Sequence, residues 1–194
     1  MNIRRLCVFC SSSNRLPEPF RDEARALGER MAREGIDLVY GGGSVGLMGV
    51  LADAVLAGGG KVTGVIPNFL STKELAHEGL TRMVVTRSMH ARKQEMSRLA
   101  DAFAILPGGF GTLDEFFEIL TWKQLGLHTR PIVVANTGGW FDPLMDYCRR
   151  AAELGAVSKG NLELFTLVDR ADEVVDALLR FRREAKAPGR LSRT

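Results

Sequence analysis

The chain has 194 residues, 45% of them hydrophobic, and a formal net charge of +3. This length and composition predict one domain with a sizeable core, and the lack of any apolar run near ~20 residues excludes a membrane-spanning class. Six basic residues between Arg180 and Arg193 supply much of the charge, so the composition gives little reason to expect nucleic acid or a membrane as a partner.

The start of the chain and its cysteines predict a cytoplasmic location. Met1 to Arg5 lead directly into an apolar strand without a signal-peptide pattern, and an odd number of cysteines, three, fits a reducing compartment. Cys7 and Cys10 form a C-x-x-C pattern, but residues three apart on a strand point to opposite faces of a sheet. A redox pair needs a helix start instead, so we interpret both cysteines as structural.

Predicted strands and helices alternate along the whole chain. Strands are expected at Arg5 to Cys10, Asp37 to Tyr40, Lys61 to Ile66, Arg82 to Val85, Ala102 to Leu106, Pro131 to Asn136 and Phe165 to Val168. Helices are expected at Pro19 to Glu34, between Gly49 and Gly58, at Met89 to about Ala100, after Gly111 up to Leu125, at Asp142 to Leu154 and at Ala171 to Phe181. This alternation predicts one α/β domain with a parallel sheet over residues 1–183, followed by a basic, mobile tail that begins near Arg182 and fills 184–194. Ligands of such sheets bind at the carboxyl ends of the strands.

The turn after the second strand, Gly41 to Gly46, matches the G-x-G-x-x-G dinucleotide fingerprint. That fingerprint also requires an acidic residue about twenty positions on, at the end of the next strand, whereas here that strand ends in Pro67-Asn68. We therefore discount dinucleotide binding. The glycines form either a tight strand-to-helix turn or one wall of a ligand cleft, and the sequence leaves both interpretations open.

The stretch Pro107-Gly108-Gly109-Phe110-Gly111-Thr112-Leu113-Asp114-Glu115 follows a buried strand and opens a helix. The free N–H groups of a first helical turn and the helix dipole favour an anion, and glycines let the backbone approach it. The stretch therefore predicts a phosphate cradle, to which Thr112 adds a hydroxyl. Glu115 fits poorly, because a carboxylate repels a phosphate one turn away. It forms either a capping box, with Thr112 as N-cap and Glu115 at N3, or part of a reactive centre.

A group of cations crowds the start of the helix that begins at Met89. Arg92 falls on the apolar face with Met96, where a guanidinium is unfavourable unless it is paired. His90 and Lys93 lie in the same turn, where the helix dipole disfavours positive charge. The sequence therefore needs an anion here, and a bound phosphate or a buried glutamate would both serve. The alternative is an arginine that extends to solvent or pairs with a structural carboxylate.

Together the two stretches resemble the signature of the LONELY GUY family, the cytokinin riboside 5′-monophosphate phosphoribohydrolases, often labelled lysine decarboxylases. The resemblance is carried by Ser88-Met89-His90-Ala91-Arg92-Lys93 and by Pro107 to Glu115. The turn from Tyr40 to Gly49 and the Cys-Ser-Ser end of the first strand also match. The chain shows no pyridoxal-phosphate lysine motif, so the decarboxylase label has no support. The resemblance covers the chain except the tail, and it implies a Rossmann-like sheet with helices on both faces and a homodimer with its sites near the interface.

The resemblance also implies an activity, hydrolysis of the N-glycosidic bond of an adenosine 5′-monophosphate, N6-modified or not. The products would be the free base, a cytokinin or adenine, and ribose 5-phosphate. Arg92 and Glu115 match the catalytic residues. The substrate-binding positions would be Glu74, Lys93, Gly108, Gly109, Phe110, Gly111, Thr112, Leu113, Asp114 and Thr121, with Gly108 to Thr112 holding the 5′-phosphate. No cofactor is expected and no metal, since the histidines His77, His90 and His128 show no ligand spacing.

Charge suggests how the two catalytic positions would act. Cleavage builds oxocarbenium character on the ribose and negative charge on the departing base, so a carboxylate at Glu115 would stabilise the sugar and orient or deprotonate water. A guanidinium cannot release a proton, so Arg92 would act by charge and position. Two other hypotheses remain: a nucleotide-binding or carrier protein without turnover, and an interaction protein recruited through its basic tail.

Overall fold

A computed structural model describes residues 3–71 and 76–184, which contain seven strands and six α-helices. The two alternate along the chain except between the third and fourth strands, where the described residues hold only a short 3-10 turn, Asn68–Leu70. The strands are β1 (Arg5–Phe9), β2 (Asp37–Tyr40), β3 (Val62–Pro67), β4 (Arg82–Thr86), β5 (Ala102–Ile105), β6 (Ile132–Ala135) and β7 (Thr166–Val168). The helices are α1 (Glu18–Arg33), α2 (Gly46–Ala57), α3 (Met89–Leu99), α4 (Phe110–Gln124), α5 (Asp142–Glu153) and α6 (Glu173–Glu184). Within these ranges no helix combines the length and apolar character needed to cross a membrane.

All seven strands form one parallel sheet in the order β4-β3-β2-β1-β5-β6-β7. β1 lies at the centre, where Leu6 pairs with Leu38 of β2 on one side and with Ala102 of β5 on the other. The strand order reverses direction at β1, so the loops after β1 and β5 diverge and leave a crevice at the carboxyl edge. The predicted α/β parallel sheet is confirmed.

Helices cover both faces of this sheet, each over its own apolar core. Helices α1, α2 and α6 pack on one face, and α3, α4 and α5 pack on the other. Cys10 belongs to the first core and Cys7 to the second, and both thiols are buried and unpaired with one another. This confirms that the C-x-x-C pattern is structural, because the pleat directs its two side chains to opposite faces.

The observed element bounds differ from the predicted ones chiefly at the start of α2, which begins at Gly46 and not after Gly49, and at α6. The helix begins at Glu173 and continues to Glu184, so Arg182 and Arg183 belong to its last turn and not to a tail. Basic side chains interact favourably with the carboxyl end of the helix dipole, which favours this extension. The remainder of the predicted tail, 185–194, lies outside the described residues.

Candidate active site

A cleft of about 530 Å³ opens at the carboxyl edge of the sheet, where the strand order reverses. Its walls come from the loops that follow three neighbouring strands: Ser11 to Ser13 after β1, Gly41 and Gly43 after β2, and Gly109 to Thr112 after β5. The side chains of Arg92 and Glu115 also line it. Both motifs singled out in the sequence therefore meet in one cavity.

The start of α4 presents unused hydrogen-bond donors to this cleft. Gly109 is the N-cap, and the N–H groups of Phe110, Gly111 and Thr112 have no partner outside the helix among the described residues. Gly108 makes the turn possible, since a Cβ there would lie 2.1 Å from Oγ1 of the buried Thr112. The helix dipole adds to these donors, so an anion is favoured at this position.

The capping-box interpretation of this stretch is wrong. Because the helix begins at Phe110, Thr112 is its third residue and Glu115 its sixth, and no side chain in the described part of the protein caps the helix. Glu115 is buried and points toward α3 instead of back toward the first turn. The spacing alone could not reveal this, because a glycine without a side chain has taken the N-cap position that Thr112 was expected to fill.

The start of α2, by contrast, offers no such donors. The N–H groups of Leu47 and Met48 donate to the carbonyl oxygen of Ser11, at 2.9 and 3.4 Å, and the N–H of Gly46 donates to Oδ1 of Asn14 at 2.8 Å. A dinucleotide pyrophosphate would need these groups, so the structure agrees with the rejection of that fingerprint.

The glycines of the β2–α2 turn serve both purposes that the sequence left open, a tight strand-to-helix turn and one wall of a ligand cleft. Gly46 is a packing glycine, because its φ is +65° and a Cβ there would lie 2.7 Å from the Ser11 carbonyl oxygen. Gly41 and Gly43 line the cleft. A Cβ on Gly41 would lie only 2.2 Å from Nη2 of Arg92, so this glycine makes room for the guanidinium.

Arg92 and Glu115 form an ion pair at the floor of the cleft. Nη1 of Arg92 donates to Oε1 of Glu115 at 3.0 Å, and the two side chains are only 11% and 10% exposed. The same guanidinium donates through Nε to the carbonyl oxygen of Val65 at 3.0 Å. The anion that Arg92 was predicted to require is therefore the buried Glu115. The guanidinium is fixed by Glu115 through Nη1 and by the Val65 carbonyl oxygen through Nε.

The environment of Glu115 shifts its protonation equilibrium toward neutral pH. Burial raises its pKa from the usual range to about 7; Arg92 opposes this rise, Asp114 and Glu118 reinforce it, and Lys93 counteracts it. A carboxyl group that titrates near neutrality can accept a proton from water and release it again within a catalytic cycle. This property fits a group that exchanges protons, although a buried structural ion pair can also shift a pKa.

Lys93 does not line the cleft. Its Nζ lies 3.0 Å from Oδ2 of Asp114 and 3.1 Å from Oε1 of Glu118, and its side chain is 15% exposed. Sequence reasoning did not identify Glu118. The available signal was its position four residues after Asp114 on one helical face, which lets two carboxylates share a single cation.

The other predicted positions are distributed more widely. Thr121 is exposed, and the nine residues that separate it from Thr112 correspond to about 13 Å along α4. Leu113 packs against the core beneath α4. Phe110 lines the cleft at its mouth, and its side chain is 93% exposed. Glu74 lies outside the described residues. Sequence reasoning missed the apolar side of the cleft, formed by Val45, Met48, Ile66 and Leu70. These four residues come from different elements and meet the start of α4 around one cavity only in the folded chain.

Comparisons with known proteins give close relatives over most of the chain. A family model described as "possible lysine decarboxylase" matches residues 48–178. A cytokinin riboside 5′-monophosphate phosphoribohydrolase of Arabidopsis thaliana is 42% identical over 175 residues, which cover 90% of this chain and 82% of the relative. A probable enzyme of the same name from Oryza sativa subsp. japonica is 44% identical, with 90% and 77% covered.

Solved structures share the fold at lower identity. The molybdenum cofactor binding protein of Rippkaea orientalis superposes with a TM-score of 0.72 at 18% identity and covers 94% of this chain and 99% of its own. The molybdenum cofactor carrier protein of Chlamydomonas reinhardtii gives 0.70 at 20% identity, with the same shares covered. These likenesses establish the architecture alone.

The fold and its edge cleft define a Rossmann-like α/β protein, as predicted. Within that class the sequence relatives decide the family, because their identity extends over nine-tenths of the chain. The chain belongs to the cytokinin riboside 5′-monophosphate phosphoribohydrolases, the LONELY GUY family. The resemblance found in the two motifs is confirmed.

Proposed function

We propose that this protein hydrolyses the N-glycosidic bond of an adenosine 5′-monophosphate, including N6-substituted forms, to the free base and ribose 5-phosphate. Its relatives carry this activity in their names. One observation supports the proposal most: a buried Arg92–Glu115 pair lines the same cleft as the free N–H groups of α4. A phosphate-binding element and a group able to exchange protons are therefore present in one cavity.

The 5′-phosphate binds at the start of α4. The N–H groups of Phe110, Gly111 and Thr112 supply the hydrogen bonds, and the open space at Gly109 and Gly111 lets the phosphate oxygens approach the backbone. The base lies against the apolar side of the cleft, formed by Val45, Met48, Ile66 and Leu70. The ribose then spans the gap between them, next to Glu115.

Hydrolysis replaces the bond from the anomeric carbon to the base nitrogen by a bond to a water oxygen. The electron pair of the broken bond leaves with the base, which takes up a proton from solvent, while the ribose acquires oxocarbenium character. The Glu115 carboxylate stabilises that positive charge and accepts the proton that water loses. Arg92 keeps Glu115 in place and stabilises negative charge, and it transfers no proton.

We also propose that the protein is a cytoplasmic homodimer with its sites near the interface. Phe110, Phe117 and Leu125 are exposed and lie, with Thr121, on one side of α4. An apolar stripe of this kind is typical of an interface between subunits. Thr121 is too far along α4 to reach its own cleft, but it lies in this stripe, which begins at Phe110 beside the cleft mouth.

Substrate comparison tests the activity directly. We expect release of adenine from AMP, and kcat/KM lower for adenosine by on the order of a thousandfold, because charge-assisted hydrogen bonds to phosphate contribute ~1.5–3 kcal/mol each. Base release is measured chromatographically for AMP, N6-prenylated AMP and adenosine, with and without EDTA; we expect the chelator to have no effect. Nucleotide binding without base release would support a carrier instead, and equal rates on AMP and adenosine would contradict the phosphate site.

The domain division is tested by truncation. We propose that residues 1–183 form the catalytic domain and that the segment 184–194 takes no part in turnover. Removal of residues 185–194 should leave kcat/KM for AMP unchanged. A large loss of activity in this truncated protein would show that the basic segment contributes to the site.

A further inference from the structure

The cluster of Lys93, Asp114 and Glu118 joins α3 to α4 directly beside the reactive pair. Arg92 and Lys93 are consecutive residues of α3, and both reach α4. Arg92 contacts Glu115, and Lys93 contacts Asp114 and Glu118. The two helices are thus connected by two parallel ionic contacts one residue apart. Any change in one contact alters the position or the electrostatic surroundings of the other.

Glu118 is the member of this cluster that has no assigned role. Its side chain is 19% exposed, whereas that of Asp114 is 58% exposed, so the contact from Lys93 to Glu118 is the better shielded from water. The cluster holds one cation and two carboxylates, and the reactive pair holds one of each. The five groups therefore carry one negative charge in excess when all are ionised.

We propose that Glu118 is a positioning residue: with Asp114 it holds the Lys93 ammonium, and so holds the start of α3, with Arg92, against Glu115. Lys93 is then a positioning residue as well, because its ammonium group joins α3 to the two carboxylates of α4. The proposal rests on the proposed hydrolase function for its kinetic consequences, but the placement of charge around Glu115 is independent of that function.

The pKa of Glu115 should shift in opposite directions when the charge of Glu118 and when the charge of Lys93 is removed. Among the described residues, the charged groups that act on Glu115 are Arg92 and Lys93 from α3 and Asp114 and Glu118 from α4. The buried thiols of Cys7, on β1, and Cys10, just after it, also interact electrostatically with Glu115. Removing the Glu118 charge lowers the pKa of Glu115, both directly and because Lys93 loses a competing partner. Removing the Lys93 charge raises that pKa, because Asp114 and Glu118 are then no longer neutralised.

The experiment compares Glu118→Gln and Lys93→Met with a matched control, Glu95→Gln. Glu95 also forms an ion pair, with Arg98, but that pair lies within α3 and does not reach α4. The side-chain carboxyl carbon of Glu115 is titrated by carbon-13 NMR in the folded full-length protein, and its signal is identified by its loss in Glu115→Gln. We expect a lower pKa in Glu118→Gln, a higher one in Lys93→Met and no change in Glu95→Gln.

Kinetics on AMP supply the second measurement. A positioning role predicts that kcat falls by roughly tenfold to a hundredfold in both variants while KM changes little, since displaced reacting groups slow the chemical step. A phosphate contact by Lys93 predicts a raised KM in Lys93→Met alone. That result, or pKa changes of the same sign in the two variants, would overturn the proposal. If no variant or wild-type protein hydrolyses AMP but the titrations shift as expected, the proposed function fails and the positioning role stands.

Discussion

Arg92 and Glu115 meet between α3 and α4 with Nη1 3.0 Å from Oε1, and each side chain is almost fully withdrawn from water. A buried ion pair of this kind contributes little net stability, because the loss of hydration offsets much of the attraction. It does, however, fix two charged groups in one geometry inside the cleft. The first predictions follow from this relationship.

Glu115→Gln should give a folded protein with little activity. Glutamine preserves the shape of the side chain, but it bears no negative charge toward the oxocarbenium ion and accepts no proton from water. We expect kcat for base release from AMP to fall at least ~100-fold. The melting temperature serves as the folding control. Wild-type turnover in a folded Glu115→Gln protein would return this residue to a structural role.

Arg92→Ala should be similarly damaging, and the double variant should lose less than the sum of the two single effects. The alanine leaves Glu115 buried without its partner and the Val65 carbonyl oxygen without its donor, so melting temperature should fall as well. Because the two side chains act as a unit, removing the second adds little once the first is gone. Fully additive losses in kcat/KM would show that they act independently.

The pH profile should show that ionised Glu115 is required. Burial raises its pKa to about 7, with Arg92 opposing the rise, so the fraction of active carboxylate decreases as pH falls through that value. We expect kcat/KM to decline below about pH 7. Protonation of the substrate phosphate near pH ~6 adds to this decline on the acidic side of the profile. The control is a substrate titration followed by phosphorus NMR, which separates the two groups. A flat profile between pH 5.5 and 8 would contradict this assignment.

The same pKa has a consequence for stability. Because the folded protein holds a proton on Glu115 up to about pH 7, whereas the unfolded chain releases it near the ordinary value for glutamate, the folded state binds more protons between these values. The contribution of Glu115 to the free energy of unfolding is therefore greatest at low pH and decreases as pH rises toward 7. Denaturant unfolding at pH 5.5 and 7.5 measures this, with Glu115→Gln as the reference. An identical pH dependence in the two proteins would contradict the raised pKa.

Gly111→Ala should impair phosphate binding without destabilising the protein. No contact within 4 Å is made by a Cβ built at Gly111 with the described residues beyond its own turn, and alanine favours the helix. The added methyl group would nevertheless lie on the cleft surface. We expect KM for AMP to rise about tenfold, the equivalent of one weakened charge-assisted hydrogen bond. Gly160→Ala is the matched control, since it also has open space and lies outside the cleft. Equal kinetics in the two variants would argue against a phosphate at α4.

Leu125→Glu should dissociate the proposed homodimer. Leu125, the last member of the apolar stripe, directly follows α4 and is 67% exposed, whereas Leu154, directly after α5, is 68% exposed and lies outside the stripe. A charge buried in an interface is strongly unfavourable, so only Leu125→Glu should shift the mass toward that of a monomer. Light scattering coupled to size-exclusion chromatography measures this mass. A wild-type monomer, or dissociation by Leu154→Glu alone, would contradict the proposed interface.

The sequence by itself determined the architecture and the two motifs. The alternation of apolar strands with amphipathic helices required a parallel α/β sheet, and the glycines of Pro107 to Glu115 required a strand-to-helix turn able to receive an anion. These features are local, because strand pleating, helical periodicity and glycine conformation act over a few residues. For the same reason the sequence already predicted that Cys7 and Cys10 lie on opposite faces of the sheet.

The tertiary structure alone decided which charged groups meet. Arg92 and Glu115 are 23 residues apart in the chain, and only the packing of α3 and α4 on one face of the sheet pairs them and buries the carboxylate. The same packing pairs Lys93 with Asp114 and Glu118 and keeps it out of the cleft lining. It also places Thr121 on an exposed side of α4. Burial and charge pairing depend on neighbours that are distant in sequence, so residue types and spacing could not specify them.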